Sequence, residues 1–262
     1  MLSYQHGFHA GNRADVLKHA ILHGVLAHLK QNSAPLLYVE THAARGRYDL
    51  TGKQARKTGE ARDGILALLN DKSLPKALEN WVGEVRAKGV TAYPGSPVLA
   101  SDALSATDRL VLFEKHPGEH ANLLAVLGGQ TNIQIFHEDG YRGALRLQPR
   151  RQEEMLLLLD PSYETEADME ALTHWVPRAL RKWPKAKILI WLPLFADRRE
   201  EDFGAYLASL DKGFVAGSRW PQHEDTTSSL EGSAMIGLRL GGASARKAFS
   251  IAAALDTYWQ RA

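Results

Sequence analysis

The sequence predicts an α/β fold, a mainly parallel sheet with helices on both faces, closed by an antiparallel hairpin and carrying a small helical insertion. Three observations predict it. From Leu110 onward, short apolar runs alternate with helical patterns, as in successive strand–helix–strand units. Residues 155–159 form an unbroken apolar run, expected of a strand covered on both faces. Finally, the β-prone segments 214–220 and 234–240 flank a polar loop at 222–232 and read as antiparallel partners.

The elements follow in order. Leu17, Ile21, Val25 and Leu29 recur every four residues and mark the apolar stripe of a helix over 14–30. Leu36 to Glu40 follows Ser33-Ala34-Pro35 and reads as the first strand. Two helical patterns, 54–70 and 75–88, separate it from the rest, so 50–95 is expected to be a helical subdomain inserted into one domain spanning 1–262. Pro94-Gly95-Ser96-Pro97 is turn chemistry, with Ser96 placed to cap a helix starting at Pro97. Strands are then expected at 110–113, 133–136, 155–159 and 188–192, and helices at 117–128, 140–148, 167–183 and 197–211. Ala248, Ala252, Leu255 and Trp259 share the stripe of a last helix.

Composition excludes several classes. The chain has 262 residues, enough for one α/β domain with a sizeable core. It has no cysteine, so disulfides, thiolate metal sites and cysteine nucleophiles are out of the question. No apolar run approaches a membrane span, and Met1 to His6 lacks signal-peptide character; the expected setting is soluble and cytoplasmic. The net charge is only +2, but it is unevenly spread. Residues 1–62 hold nine Lys/Arg against four Asp/Glu, and six of the eleven histidines. That basic third can serve as a polyanion footprint or simply as solvated surface.

In an open α/β sheet, ligands bind beyond the carboxyl ends of the strands. Those ends are polar here. The first runs into Glu40-Thr41-His42-Ala43-Ala44-Arg45-Gly46, and the next ends at Glu114. The third leads to Asp139-Gly140, and the fourth to Asp160-Pro161-Ser162-Tyr163. Glu114 is placed to accept both hydroxyls of a ribose, or else to pair with Lys115 on the surface. Asp139 can accept from the amine of an adenine while Gly140 admits close backbone approach, although Asp-Gly is also common turn chemistry. Only Gly46 stands where a dinucleotide site needs G-x-G-x-x-G. An adenosine cofactor without phosphate, S-adenosylmethionine, therefore fits better than NAD.

The tetrapeptide at 160–163 is the most specific feature. The lone pair of an exocyclic adenine amine is delocalised into the ring. Asp160 and the carbonyl of Pro161 can accept its two N–H bonds and orient the nitrogen toward a methyl donor. Tyr163 can stack on the base. The plain alternative is an Asp-Pro turn beside a packed tyrosine.

These residues carry a resemblance. Leu2-Ser3-Tyr4, His6, Phe8-His9-Ala10-Gly11-Asn12 and Ala14-Asp15-Val16-Leu17-Lys18-His19 resemble the N-terminal signature of the RlmJ-type adenine-N6 methyltransferases of large-subunit ribosomal RNA. Thr41-His42-Ala43, Gly46-Arg47-Tyr48, Tyr93 to Pro97, Glu114, His116-Pro117 and Asp139-Gly140 fall in the same order. The likeness runs over nearly the whole chain. It implies a Rossmann-like class I methyltransferase with a seven-stranded sheet, acting on 23S rRNA, deproteinised or in early assembly, as a monomer. It further implies donor contacts from His19, His42, Ser96, Glu114, Asp139 and Gly140, catalysis by Asp160, and control of base entry by Tyr4. Related proteins are also linked to the use of external DNA.

Three departures stand out. The usual glycines after Thr-His-Ala are reduced to Ala44-Arg45-Gly46, Asp-Pro-Pro-Tyr becomes Asp-Pro-Ser-Tyr, and Leu238-Arg239-Leu240-Gly241-Gly242 replaces an Asn-Pro-Pro-Trp-like strand end. A non-catalytic nucleic-acid-binding module and a DNA-adenine methyltransferase remain as alternatives. His19 and His23 lie one helical turn apart, but no carboxylate completes a metal site, and Asp15 reads as the i,i+4 partner of His19. No metal is expected.

Overall fold

Strand β1, Leu36–Glu40, is buried at every position because it runs through the middle of the sheet. In the computed structural model, which describes residues 5–32, 34–220 and 230–261, β1 lies between β4 (Arg109–Phe113) and β6 (Glu154–Leu159), parallel to both. Beyond β4 lies β5 (Ile133–Phe136), and beyond β6 lies β7 (Lys187–Phe195), again parallel. The sheet is completed by β9 (Leu230–Leu238), antiparallel to β7, and β8 (Phe214–Arg219) at the edge. The order is β5-β4-β1-β6-β7-β9-β8. The chain therefore works outward from β1 in one direction and then restarts on its other side, which puts the topological switch between β1 and β6.

Alternation of side chains divides the core into two layers. Leu36, Tyr38, Leu156 and Leu158 join one cluster, and Leu37, Val39, Leu157 and Leu159 the other. The first layer is covered by α1 (Arg13–Leu29), α5 (Ser96–Ala103), α6 (Pro117–Leu127) and α10 (Gly241–Trp259). The second is covered by α7 (Gly140–Ala144), α8 (Glu166–Lys182) and α9 (Glu201–Ser209). Helix α1 begins where the Asn12 side chain accepts from the amide of Asp15 at 2.9 Å, as an N-cap should. It is buried on nearly all sides from Ala14 to Leu22, not along one stripe, because α10, α5 and β9 all pack against it.

Between β1 and α5 the chain makes an excursion. It leaves through β2 (Arg47–Tyr48) and returns through β3 (Tyr93–Pro94), which pair antiparallel. Inside lie α2 (Lys53–Thr58), α3 (Ile65–Asn70) and α4 (Glu79–Lys88). The single helical pattern expected over 54–70 is broken twice. Gly59 takes φ +71°, a left-handed conformation that ends α2. At Gly64 a Cβ would lie 2.1 Å from the carbonyl oxygen of Gly11, so the chain must lack a side chain there.

Other boundaries shift too. The expected helix 140–148 stops at Ala144, and that at 197–211 shortens to 201–209. Strand β9 starts at Leu230, earlier than Ala234, because β7 extends to Phe195 and pairs with it across a bulge. Ser96 is not a cap: Gly95 holds that position and Ser96 is already helical. No helix among the described residues is long and apolar enough to cross a membrane.

Asp108 joins the start of this scaffold. It is buried, and its carboxylate accepts from the amides of Leu36 (2.7 Å) and Ser105 (2.7 Å) and from Lys30 Nζ (2.8 Å). The end of α1 and the starts of β1 and β4 thus share one anion. Asp108→Ala is expected to lower unfolding free energy by about 3 kcal/mol, since it strands a cation and two amides. Urea denaturation checks this, and Asp108→Asn should lose clearly less.

Candidate active site

The carboxyl ends of β1, β4, β5 and β6 open on one cavity of about 760 Å3, closed from above by the start of α1. Every predicted site residue that the structure describes lines it: His19, His42, Ser96, Glu114, Asp139, Gly140, Asp160, Pro161 and Tyr163. Tyr4 lies outside the described residues. The strand ends converge because parallel strands all finish at the same edge of the sheet.

On the β4–β5 side, the Glu114 carboxylate accepts from the amides of Ala44 (2.8 Å) and His116 (2.6 Å). One lone pair on each oxygen is thereby used, and Glu114 lines the cavity. Burial raises the pKa of Glu114, against the pull of those two amides. Asp139 caps α7 through the amide of Arg142 at 3.1 Å and lies 3.4 Å from Lys115 Nζ. Gly140 does permit a close approach, but to the chain itself: a Cβ there would lie 2.0 Å from the carbonyl oxygen of Thr41. The glycine locks the end of β5 against the end of β1. Next to it, the Tyr141 hydroxyl is buried without a hydrogen-bond partner among the described residues, on the cavity wall. Its ring stands edge-on to His42 at 5.0 Å, and burial lowers the pKa of that imidazole.

On the β6 side, Asp160 is not an open acceptor. Lys18 Nζ lies 2.6 Å from its Oδ2 and 3.0 Å from Asp15 Oδ1. Asp15 in turn accepts from the amide of Gly11 and bonds His6 Nε2, both at 2.9 Å. Burial works to raise the pKa of Asp15, yet its contact with His6 and the charge of the Lys18 ammonium hold it well below the carboxylate range. Asp15 is therefore not chiefly the partner of His19. Their closest approach is 3.9 Å, while His19 Nδ1 bonds the Tyr93 hydroxyl at 2.8 Å. Burial pushes the His19 pKa down to about 3, so it offers the cavity a neutral imidazole. His23 bonds Glu84 at 3.0 Å instead, and no group of three or more His, Asp or Glu among the described residues could hold a metal ion.

Tyr163 has φ +52°, a strained conformation for an aromatic residue. Its hydroxyl donates to the carbonyl of Trp191 at 2.6 Å, and the two rings meet edge to face at 5.5 Å. The ring is held from behind, leaving its cavity side for a ligand. Ser96 donates its hydroxyl to Glu40, which also accepts from Tyr38 at 2.9 Å. Sequence reasoning missed the roles of His6, Asp15, Lys18 and Glu40. A charge at the end of the apolar strand 36–40, and an acid three residues before a lysine on an otherwise apolar helix, were the available signals.

Comparison with known proteins places this geometry. The family described as "Ribosomal RNA large subunit methyltransferase D, RlmJ" matches residues 33–217. The Escherichia coli protein named ribosomal RNA large subunit methyltransferase J is 34% identical over 198 residues, 74% of this chain and 71% of its own. Its Haemophilus influenzae namesake is 32% identical over 199 residues, 74% of this chain and 71% of its own. The chain belongs to the RlmJ family. A Legionella pneumophila protein of known crystal structure shares the fold at TM-score 0.85 and 28% identity, covering 96% of this chain and 94% of its own.

As an RlmJ-family chain it is a methyltransferase that uses S-adenosylmethionine, and the cavity fits that donor. Two carboxylates with spare lone pairs, an orphaned tyrosine hydroxyl and a neutral histidine suit an adenosine group, and none of them demands a phosphate. The departures also acquire physical content. Ala44 takes φ +50°, where the family's glycine would be unstrained, at a cost of about 1–2 kcal/mol. Arg45 forks onto Glu119 at 2.7 and 2.5 Å. Residues 238–242 begin at the last residue of β9, Leu238, which pairs with Ile188 at the start of β7. They lie at the opposite edge of the sheet from the cavity, where Arg239 holds Asp211 and the carbonyl of Trp183.

Burial raises the pKa of Glu40 to about 8, opposed by its bonds from Ser96 and Tyr38. The folded protein therefore retains a proton that the unfolded chain releases near pH 4.5, and stability falls as pH rises between those values. Glu40→Gln should flatten that decline, which can reach about 1.4 kcal/mol per pH unit. Urea titrations from pH 5 to 9 measure it; parallel curves for the two proteins would overturn the assignment.

Proposed function

We infer that this chain methylates the exocyclic N6 of an adenosine in 23S ribosomal RNA. The observation that carries the reading is that Asp160, Pro161 and Tyr163 share one cavity with Glu114 and Asp139. An amine-orienting group thus faces an adenosine-binding group across a single space. The relatives' names supply the RNA; the tetrapeptide supplies the adenine.

In this reading Glu114 holds the donor's ribose, and Asp139, with Gly140 fixing its loop, holds the adenine. His19, His42 and Ser96 line the rest of the donor's berth. When bound, S-adenosylmethionine supplies an electrophilic methyl group. Asp160 and the carbonyl of Pro161 accept the two N–H bonds of the target amine and turn its lone pair toward that methyl. Lys18 already lies against Asp160 Oδ2, so the amine uses the remaining acceptor positions while the ammonium keeps the carboxylate from rotating. The ring of Tyr163 stacks on the base, and Tyr4 governs its entry. The nitrogen loses a proton as it gains the methyl group, and Asp160 is the nearest base for it.

A base can enter such a cavity only when splayed out of its stack. The proposed substrate is therefore deproteinised or early-assembly rRNA, in which the target loop is accessible. The protein is proposed to act as a cytoplasmic monomer, one domain with the helical excursion of 50–95 inserted in it.

The decisive assay incubates the protein with labelled S-adenosylmethionine and deproteinised 23S rRNA, then maps N6-methyladenine, with duplex DNA as a parallel arm. Label in DNA but not rRNA moves the substrate class; donor binding without transfer to either leaves only a binding module. Asp160→Ala is expected to lower kcat by about 100-fold or more, and full retention would remove Asp160 from catalysis. Tyr163→Ala should weaken transfer by a stacking contact of about 1–3 kcal/mol. Tyr163→Phe, which keeps the ring and loses only the bond to Trp191, should retain most kcat/KM.

A further inference from the structure

Helix α2 stands at the mouth of the cavity with two unlike faces. Its inner face is fastened to the N-terminal segment. Gln54 bonds both Gln5 (2.8 Å) and Arg45 (2.7 Å), Ala55 is buried, and the Thr58 hydroxyl donates to the carbonyl of Phe8. Thr58 and Glu60 reach the cavity wall itself. The outer face carries Lys53, Arg56 and Lys57, all exposed, and Arg62 projects just beyond. Positions i, i+3 and i+4 are neighbours on a helix, with Cβ atoms about 5–6 Å apart. The three cations therefore form one patch.

What distinguishes the patch is that no close ion pair forms on it among the described residues. Other cations around the cavity are committed, Lys18 to Asp15 and Asp160, Arg45 to Glu119, and Lys115 to Asp139. Among the described residues, no carboxylate comes within ion-pair distance of Lys53, Arg56, Lys57 or Arg62. Of the acids nearby, Asp49 turns first to Thr51 and feels the charge of Arg56 only across a gap, while Glu60 is engaged elsewhere. Asp49 accepts from the amide and hydroxyl of Thr51, and Glu60 from His9 and Asn12. Lys57 Nζ lies 5.4 Å from the centre of the Phe8 ring, which limits how far that ammonium can swing.

We propose that the outer face of α2, Lys53, Arg56 and Lys57 together with Arg62, seats the RNA phosphates beside the nucleotide that enters the cavity. This deepens the function proposed above and rests on it. A splayed base must be followed by its own backbone, and the backbone passes over the rim. Four cations there that hold no close ion pair among the described residues meet phosphates without reading sequence. The fastening of the inner face ensures that a strand held on α2 is held at a fixed distance from Asp15 and Lys18.

The test compares wild type with the Lys53→Gln/Arg56→Gln/Lys57→Gln/Arg62→Gln protein, measuring filter binding of transcribed, deproteinised 23S rRNA between 50 and 300 mM KCl. Each lost phosphate contact should flatten the slope of log K against log salt by about 0.7–0.9. A loss of about 2–4 in slope is therefore expected, with rRNA KM raised tenfold or more and kcat affected far less. Calorimetric S-adenosylmethionine affinity and the melting temperature report whether the fold is intact. An unchanged slope overturns the proposal. So does an equal loss in the control Arg181→Gln/Lys185→Gln, which alters exposed cations at the opposite edge of the sheet. A slope that flattens in the variant as expected, beside a wild type that binds rRNA but transfers no methyl, would sink the catalytic reading and leave the docking face standing.

Discussion

The ammonium of Lys18 lies between two carboxylates that come from different parts of the fold, Asp15 one turn earlier on α1 and Asp160 at the end of β6. All three groups are largely withdrawn from water, and a buried charge is stable only while its partners and hydrogen bonds remain in place. The arrangement of the N-terminal segment follows from that need. Asp15 requires the amide of Gly11 and the ring of His6, so the chain before α1 must fold back over the strand ends. By doing so it roofs the cavity.

The same roof is fixed from outside. The segment 5–12 is bonded to α2 through Gln5 and Phe8 and to the next turn through His9 and Asn12. A continuous set of contacts therefore runs from the surface of the excursion to Asp160. Groups in one hydrogen-bonded network respond to substitution jointly, not one at a time. Floor and roof have different origins: the floor is the common edge of parallel strands, while the roof is assembled from side chains of the N-terminal segment and the excursion that meet across 48 residues or more.

That difference explains what could be read in advance. The strands at 36–40, 110–113, 133–136 and 155–159 announce themselves through local composition, and their polar ends fall at one edge for topological reasons. Glu114, Asp139 and Asp160 were therefore legible as residues that line one cavity. Lys18 was not, because the partner that brings it to the cavity lies 142 positions away and the local signal, Asp15 one turn earlier, points only to a helix ion pair. Ser96 was misread as a cap because the hydroxyl's real partner, Glu40, belongs to another element. Gly59 and Gly64 were passed over inside an apolar periodicity, where a glycine costs only about 1 kcal/mol and its tertiary reason is invisible. The near-total burial of α1 escaped a stripe of four residues, since it depends on α10 arriving from the far end of the chain.

The excursion from the sheet begins and ends at the clasp of Arg47–Tyr48 with Tyr93–Pro94. Its two ends are thus neighbours in space, and the sheet cannot sense how much chain lies between them. Lengthening such a loop adds only a slowly growing entropic cost, about 0.6 kcal/mol per doubling. The clasp therefore acts as a socket. Helices of another length or charge can be exchanged beyond it without altering the strand register, provided Gln54, Thr58 and Glu60 keep their bonds to the roof; the grip on substrate can then change over evolutionary time while the sheet is kept.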